Sequence, residues 1–302
     1  MSEKRIISVA SYKRINSLVK TIESIYNQSD EINIFLNDHE GEIPPQFLDK
    51  KINLYFSDNR YGDALKFAKL MDSDGYYLTI DDDLIYPPNY VDHMITRCKE
   101  FLNKRVITLH GRKFSKEPIK SFYNSYIEFY HCLSHQKKDA FIHFGGTGVM
   151  CFHTSLIKIP ITYFEHPNMA DVWVGKYCFE NNIEVLSIAH SKDFLIYQPQ
   201  KTTIFNSYSN SDTIQTKIVN DLFNSKIEET KIEDQEFVKN NTLKTLELTQ
   251  KQINYNKINS IFQKSNPKTI TQAKNNQEVV NIKLNSATIS KLMGKGNKKF
   301  KK

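Results

Sequence analysis

Asp81, Asp82 and Asp83 stand directly behind the apolar run in "YYLTIDDDLIYPP" (76–88). Three like charges at the edge of a low-dielectric core repel one another and are poorly solvated, so something positive should meet them. Mg²⁺ and Mn²⁺ are hard cations that prefer carboxylate oxygens together with a substrate's phosphate oxygens. One or two of these aspartates could hold such an ion against a diphosphate, where it offsets charge on a departing phosphate. The plainer alternative is a solvated acidic turn, because Asp favours turns and "YPP" at 86–88 makes one. A phosphatase with an aspartate nucleophile does not fit. That chemistry wants Asp-x-Asp-x-Thr/Val behind the first strand, and here the cluster follows the fourth, with Ile85 in the Thr/Val place.

The elements that would position this cluster follow from periodicity. "KRIISVASY" (4–12) reads as a strand, and Ile15, Leu18, Val19, Ile22, Ile25 and Tyr26 mark one face of a helix. "EINIFLND" (31–38) and "KINLYFSDN" (51–59) read as strands, "GDALKFAKLMDS" (62–73) as a helix and "GYYLTI" (75–80) as the fourth strand. Strands alternating with single helices predict a parallel sheet in an α/β layered domain. Ligands of open α/β sheets bind outside the carboxyl ends of the strands, and the three aspartates fall there. Further on, 90–102 and 171–182 read as helices and 105–111 and 184–191 as strands. Residues 112–140 are aromatic and irregular, and "FIHFGGTGVMCFHTSLI" (141–157) reads as a glycine turn leading into a strand.

Composition narrows the class. Of the 302 residues 39% are hydrophobic, and the mean hydropathy is −0.51. No run of roughly eighteen apolar residues is present, and "MSEKRIISVA" carries no signal-peptide core, so the expected location is the cytoplasm. The net charge of +7 is concentrated: residues 266–302 hold nine Lys and one Glu, leaving 32 basic and 33 acidic side chains elsewhere. A near-neutral body with a basic tail gives no nucleic-acid groove. Cys98, Cys132, Cys151 and Cys178 form no CxxC pair, so buried free thiols are expected in place of a zinc cage or disulfide framework. Beyond residue 205 the composition turns to Asn, Ser, Thr, Lys and Gln. The expected division is a catalytic domain at 1–204, a helical extension at 205–265 with helices near 212–224 and 230–262, and a basic, disordered tail at 266–302. The extension could pack beside the domain or mediate oligomers. The tail could touch an anionic membrane surface at the inner face of the membrane, each Lys contributing about 1 kcal/mol, or simply solubilise the chain.

"SVASYKRINSLVKTIESIYNQ", "LND", "DNRYGDALKF" and "YYLTIDDDLIYPPNYVDHM", in that order and spacing, resemble the nucleotide-sugar half of the family 2 glycosyltransferases of bacterial capsule and lipopolysaccharide synthesis. The resemblance covers roughly 4–200 and is weaker across 112–140. It implies the A-type glycosyltransferase fold, a single Rossmann-like mixed sheet flanked by helices. It also implies roles residue by residue. Ala10, Ser11, Tyr12 and Arg14 would lie near the base and ribose, although Tyr12 could pack and Arg14 could be a surface charge. Asp38 would recognise the base or serve as a turn residue. Asn59, Arg60, Asp63 and Lys66 would pass under the diphosphate, with Gly62 allowing close approach. Asp83 would be the main metal ligand, Asp81 would approach ribose or metal, Asp82 could share the role, and Pro88 follows at the family's spacing.

On the acceptor side, Gly145, Gly146, Thr147 and Gly148 resemble a loop lining the sugar pocket. Asp171 matches the base that takes the acceptor hydroxyl's proton, a role compatible with helix capping. Trp173 could stack on a sugar or fill the core. His190 could reach the metal or be structural, and Tyr197 and Lys201 could close over the diphosphate as a lid. The resulting expectation is an inverting glycosyltransferase that uses Mn²⁺ or Mg²⁺, a nucleoside diphosphate sugar (UDP favoured) and a hydroxyl of a surface glycan or lipid-linked acceptor. The rivals are a non-catalytic glycan-binding or assembly subunit and a sugar nucleotidyltransferase. The latter lacks its basic glycine-rich loop, since "ASYKRINS" is not GxGxRxxP.

Overall fold

A computed structural model describes residues 3–115, 118–201 and 211–225. The strands in chain order are β1 (Arg5–Tyr12), β2 (Glu31–Asn37), β3 (Ile52–Ser57), β4 (Tyr76–Ile80), β5 (Leu84–Ile85), β6 (Arg105–Thr108), β7 (Gly111–Lys113), β8 (Glu128–Tyr130), β9 (Ala140–Ile142), β10 (Phe144–Gly145), β11 (Val149–His153), β12 (Glu184–Ser187) and β13 (Ile196–Tyr197). Three helices intervene: α1 (Ile15–Ile25), α2 (Tyr90–Glu100) and α3 (Ala170–Glu180).

The main sheet runs β3-β2-β1-β4-β11-β6-β12-β9. β1 pairs in parallel with β2 and β4, and β2 with β3, as the alternating pattern predicts. β11 then enters antiparallel between β4 and β6, β12 lies parallel to β6, and β9 closes the edge antiparallel. Every residue of β4 is buried, and Ile7, Val9, Ile32 and Ile34 have no exposure, as strands covered on both faces require. One core joins the sheet to α1 and α2 through Leu18, Ile22, Met94 and Ile95, and the other joins it to α3 through Phe144, Phe152, Val172 and Trp173.

The expected helix over 62–73 is instead two 3₁₀ turns, Gly62–Phe67 and Leu70–Asp72. The Tyr77 hydroxyl donates to the Lys66 carbonyl at 2.7 Å and Lys158 Nζ donates to the Leu70 carbonyl at 3.1 Å, so partners from outside take acceptors a continuous α-helix would use. Residues 112–140, read as irregular, contain β7 and β8, which form a small sheet with β10. A helix spans 213–225, close to the expected 212–224, and buries Val219, Leu222 and Phe223 in the second core. Asp212 accepts from Ser121 Oγ at 2.6 Å, and Asn220 Oδ1 accepts from the Ile119 N–H at 2.7 Å. The proposed helix at 230–262 and the lysine tail lie outside the described residues.

Candidate active site

Because β6 and β12 run with β1–β4, the carboxyl ends of all six strands share one edge, and antiparallel β11 begins there. That edge gathers Tyr12–Arg14, Asp38, Asn59, Asp81–Asp83, His110, the Gly146–Gly148 loop and His190.

The cations that meet the acidic triplet come from this chain. Asp82 is 5% exposed, takes a 2.6 Å hydrogen bond from Ser11 Oγ and pairs with Arg14 Nη1 at 3.1 Å. Arg14 also reaches Asp83 at 3.3 Å. Lys66, itself buried, pairs with Asp81. The Tyr86 hydroxyl accepts the Asp81 backbone N–H at 3.0 Å and donates to the Gly148 carbonyl at 2.6 Å, which ties the triplet to the glycine loop. Gly148 is needed there, because a Cβ would sit 1.8 Å from Asp81 Oδ2.

These pairings do not offset the crowding of the buried carboxyls. Burial, then Asp81 and Asp82, push Asp83 up to about 7 despite the opposing pull of Arg14 and Lys66. Burial also raises Asp82, against Arg14 and the Ser11 hydrogen bond. Lys66 moves upward: burial works against its charge, but Asp81 and Asp63 outweigh it.

A second acidic pair lies at the start of α3. Asp63 accepts the Ala170 N–H at 3.3 Å through both oxygens, and Asp171 Oδ1 accepts the N–H of Val172 at 2.9 Å. Neither side chain caps the helix in the N-cap position, which belongs to Met169. Both aspartates keep partial solvent contact while surrounded by protein, as groups on the floor of a cleft do. Burial, then neighbouring Asp171 and Asp81 against Lys66, drive Asp63 up to about 7. Burial raises Asp171 as well, and Arg112 opposes that rise most strongly.

Arg112, which has no recognisable local signature, is buried on β7 among Phe122, Tyr123 and Phe129, 4.8–5.2 Å from their ring centres. Its Nε has no hydrogen-bond partner. Arg112 and Tyr86 are the site residues that sequence reasoning missed. Arg112 reaches the site from tens of residues away, and Tyr86, though only five residues from Asp81, gains its role from its distant partner Gly148, so no short motif pointed to either.

Other expected residues stand apart from this network. Tyr12 is 46% exposed with Lys13 over its ring, Arg60 stacks on Tyr61, and Asp38 adopts a φ of 47° at the end of β2. Ala10 is half-buried within β1, and Asn59, at a φ of 58°, accepts the Gly62 N–H. Gly146 lies against the His110 ring. Trp173 is 3% exposed, edge-on to Tyr163, and fills the core in place of forming a sugar platform. His190 bridges Gln136 and is electrostatically coupled to His110 and His131. Tyr197 lies on β13, paired with β5, and Lys201 is exposed. Among the described residues, no helix is long and apolar enough to cross a membrane.

No known family model matches the sequence, and no curated protein is similar to it. Among solved structures, the chain is similar to a candidate nucleotide-diphospho-sugar transferase from Desulfovibrio desulfuricans G20, with a TM-score of 0.35. Identity is 11%, over 61% of this chain and 79% of that one. So distant a likeness decides neither activity nor substrate. Those questions rest on the side chains.

Asp81 and Asp83 suit a hard divalent cation on two grounds. Their donor atoms are carboxylate oxygens, and burial with Asp81 and Asp82 raises the proton affinity of Asp83, a crowding that a cation in the proton's place would relieve. His190 does not join them in a compact ligand group. The group of this kind found among the described residues is His110, His131 and Cys132.

Proposed function

We propose that the chain is an A-type glycosyltransferase that moves a sugar from a nucleoside diphosphate, UDP favoured, to a hydroxyl of a glycan or lipid-linked acceptor. The observation that carries this reading is the joining of Ser11 and Arg14 behind β1, Lys66 behind β3 and Asp81–Asp83 behind β4 into one charge cluster, with Asp63 linking it towards Asp171. The family resemblance of those same segments supports it. Asp81 and Asp83 are the residues that would hold Mn²⁺ or Mg²⁺, and the ion would withdraw charge from the leaving diphosphate. Arg14 and Lys66 oppose the rise in the proton affinity of Asp83 and would add positive potential where phosphate oxygens would lie.

Asp171 is the proposed base. It accepts the acceptor hydroxyl's proton on a carboxylate oxygen as the new bond forms, and the upward shift from burial brings its basicity closer to neutral pH. Inversion at the anomeric carbon rests on the resemblance. The test is calorimetric titration of UDP, GDP and CDP with and without Mn²⁺, on the wild type and Asp83→Ala. Binding of one nucleotide that needs both metal and Asp83 is expected. No binding under any condition would shift the assignment to a non-catalytic glycan-binding or assembly role.

A further inference from the structure

A different set of donors converges beside the carboxylates. One ligand atom each from His110, His131 and Cys132 lies within 4.8 Å of the others, and the two imidazole centres are 5.1 Å apart. The residues come from separate places: His110 follows β6, and His131 and Cys132 follow β8. His190 stands outside that 4.8 Å group but on the neighbouring strand end, since β12 pairs in parallel with β6 through Ser187 and Thr108, and His190 bridges Gln136 just beyond Cys132.

His190 is 7% exposed, and its Nδ1 lies 2.8 Å from the Ile188 carbonyl. That contact puts the proton on Nδ1 and leaves the Nε2 lone pair buried with no hydrogen-bond partner. A buried polar atom without a partner calls for an explanation, and an unmodified histidine with this tautomer has the form of a metal ligand.

We propose that His110, His131 and Cys132, with His190 as the fourth donor, bind a divalent cation of the Zn²⁺ class. Nitrogen and sulfur donors select Zn²⁺ over Mg²⁺ and Mn²⁺, so this site is chemically distinct from Asp81 and Asp83. Neither ring nitrogen of His110 has a hydrogen-bond partner among the described residues. The competing contact at His131 is a 3.2 Å hydrogen bond from the Leu133 N–H to Nδ1, which a metal at that nitrogen would replace. The backbone N–H groups of Cys132 and Leu133 beside the sulfur lower its pKa and so favour a thiolate. Burial and Asp81 otherwise hold the thiol protonated, its pKa pushed up to about 12. Binding therefore forms a metal–sulfur bond, breaks the S–H bond and releases that proton to water.

The ion would clip the segment that follows β8 to the ends of β6 and β12. His110 also supports the glycine loop, because a Cβ on Gly146 would lie 2.9 Å from its ring. The site stands whether or not the chain transfers sugar.

The test uses the full chain, stripped with a chelator and titrated with Co²⁺ and then Zn²⁺. One Co²⁺ per chain is expected, with a thiolate-to-cobalt charge-transfer band in the near ultraviolet. Zn²⁺ should displace it and raise Tm. Cys132→Ser should abolish the band. His110→Ala, His131→Ala and His190→Ala should each weaken Zn²⁺ binding by at least the roughly 10–100-fold that loss of an outer-shell partner costs. Circular dichroism separates these effects from misfolding, and the three histidine variants preserve the test if the cysteine variant does not fold. Absence of Co²⁺ binding, a spectrum without the thiolate band, or an affinity untouched by the four substitutions overturns the proposal. So does binding lost in Asp83→Asn, which would place the ion on the carboxylates.

Discussion

At the residue scale, the acidic triplet divides its labour. Asp82 is a buried structural acceptor held by Ser11 and Arg14, while Asp81 pairs with Lys66 and Asp83 keeps a raised proton affinity despite Arg14. Asp171 occupies another part of the site, where Arg112 opposes the effect of burial. Asp171→Asn keeps the shape and the contact with the Val172 N–H but cannot take a proton. Sugar transfer should therefore fall about 10²–10⁴-fold with nucleotide affinity unchanged, as initial rates beside nucleotide titrations would show. A fall in affinity equal to the fall in rate would instead make Asp171 a binding residue. The triplet was legible in the sequence because three adjacent aspartates behind an apolar run are a local signal. Arg112, Tyr86 and His110 were not, since each gains its role from a partner far along the chain.

At the element scale, the Gly146–Gly148 loop backs the triplet, and the helix over 213–225 anchors the 119–123 segment whose rings lie against Arg112. A methyl group at position 148 would displace the Asp81 carboxylate, so Gly148→Ala should lower Mn²⁺-dependent nucleotide binding at least tenfold while Tm changes little. Equal titration curves for the two proteins would show that Asp81 does not need its present place. The 213–225 helix contributes Phe223, 4% exposed against Phe179 and His143. Phe223→Ala should cost about 3–5 kcal/mol in denaturant unfolding, as removal of a buried aromatic does. Strands β1–β4 and helices α1–α3 were readable from period and alternation. The helix expected at 62–73 was not formed, because Tyr77 and Lys158, both outside the segment, claim its carbonyls.

At the scale of the whole molecule, the crowded carboxyls make stability depend on pH. Asp63 and Asp83 titrate near 7 in the folded chain, against an ordinary value near 3.8, so the folded state binds more protons between those limits. Their contribution to stability therefore falls as pH rises from about 4 to about 7, and levels off above. Asp63→Asn removes one titration but keeps an acceptor for the Ala170 N–H. Its Tm should gain on the wild type between pH 5 and pH 8, and a constant difference across that range would contradict the raised proton affinity. The sheet order carries a last consequence, for synthesis. β4 pairs with β1 on one side, but its other partner, β11, lies some seventy residues later. A nascent chain that has emerged only to the end of α2 therefore presents β4, every residue of which is buried in the finished fold, as an unpaired edge of the kind that recruits strands from other chains. Ribosome-bound chains long enough to carry residues up to about 100 outside the exit tunnel should bind holdase chaperones, and that binding should cease once Val149–His153 has emerged to cover the edge.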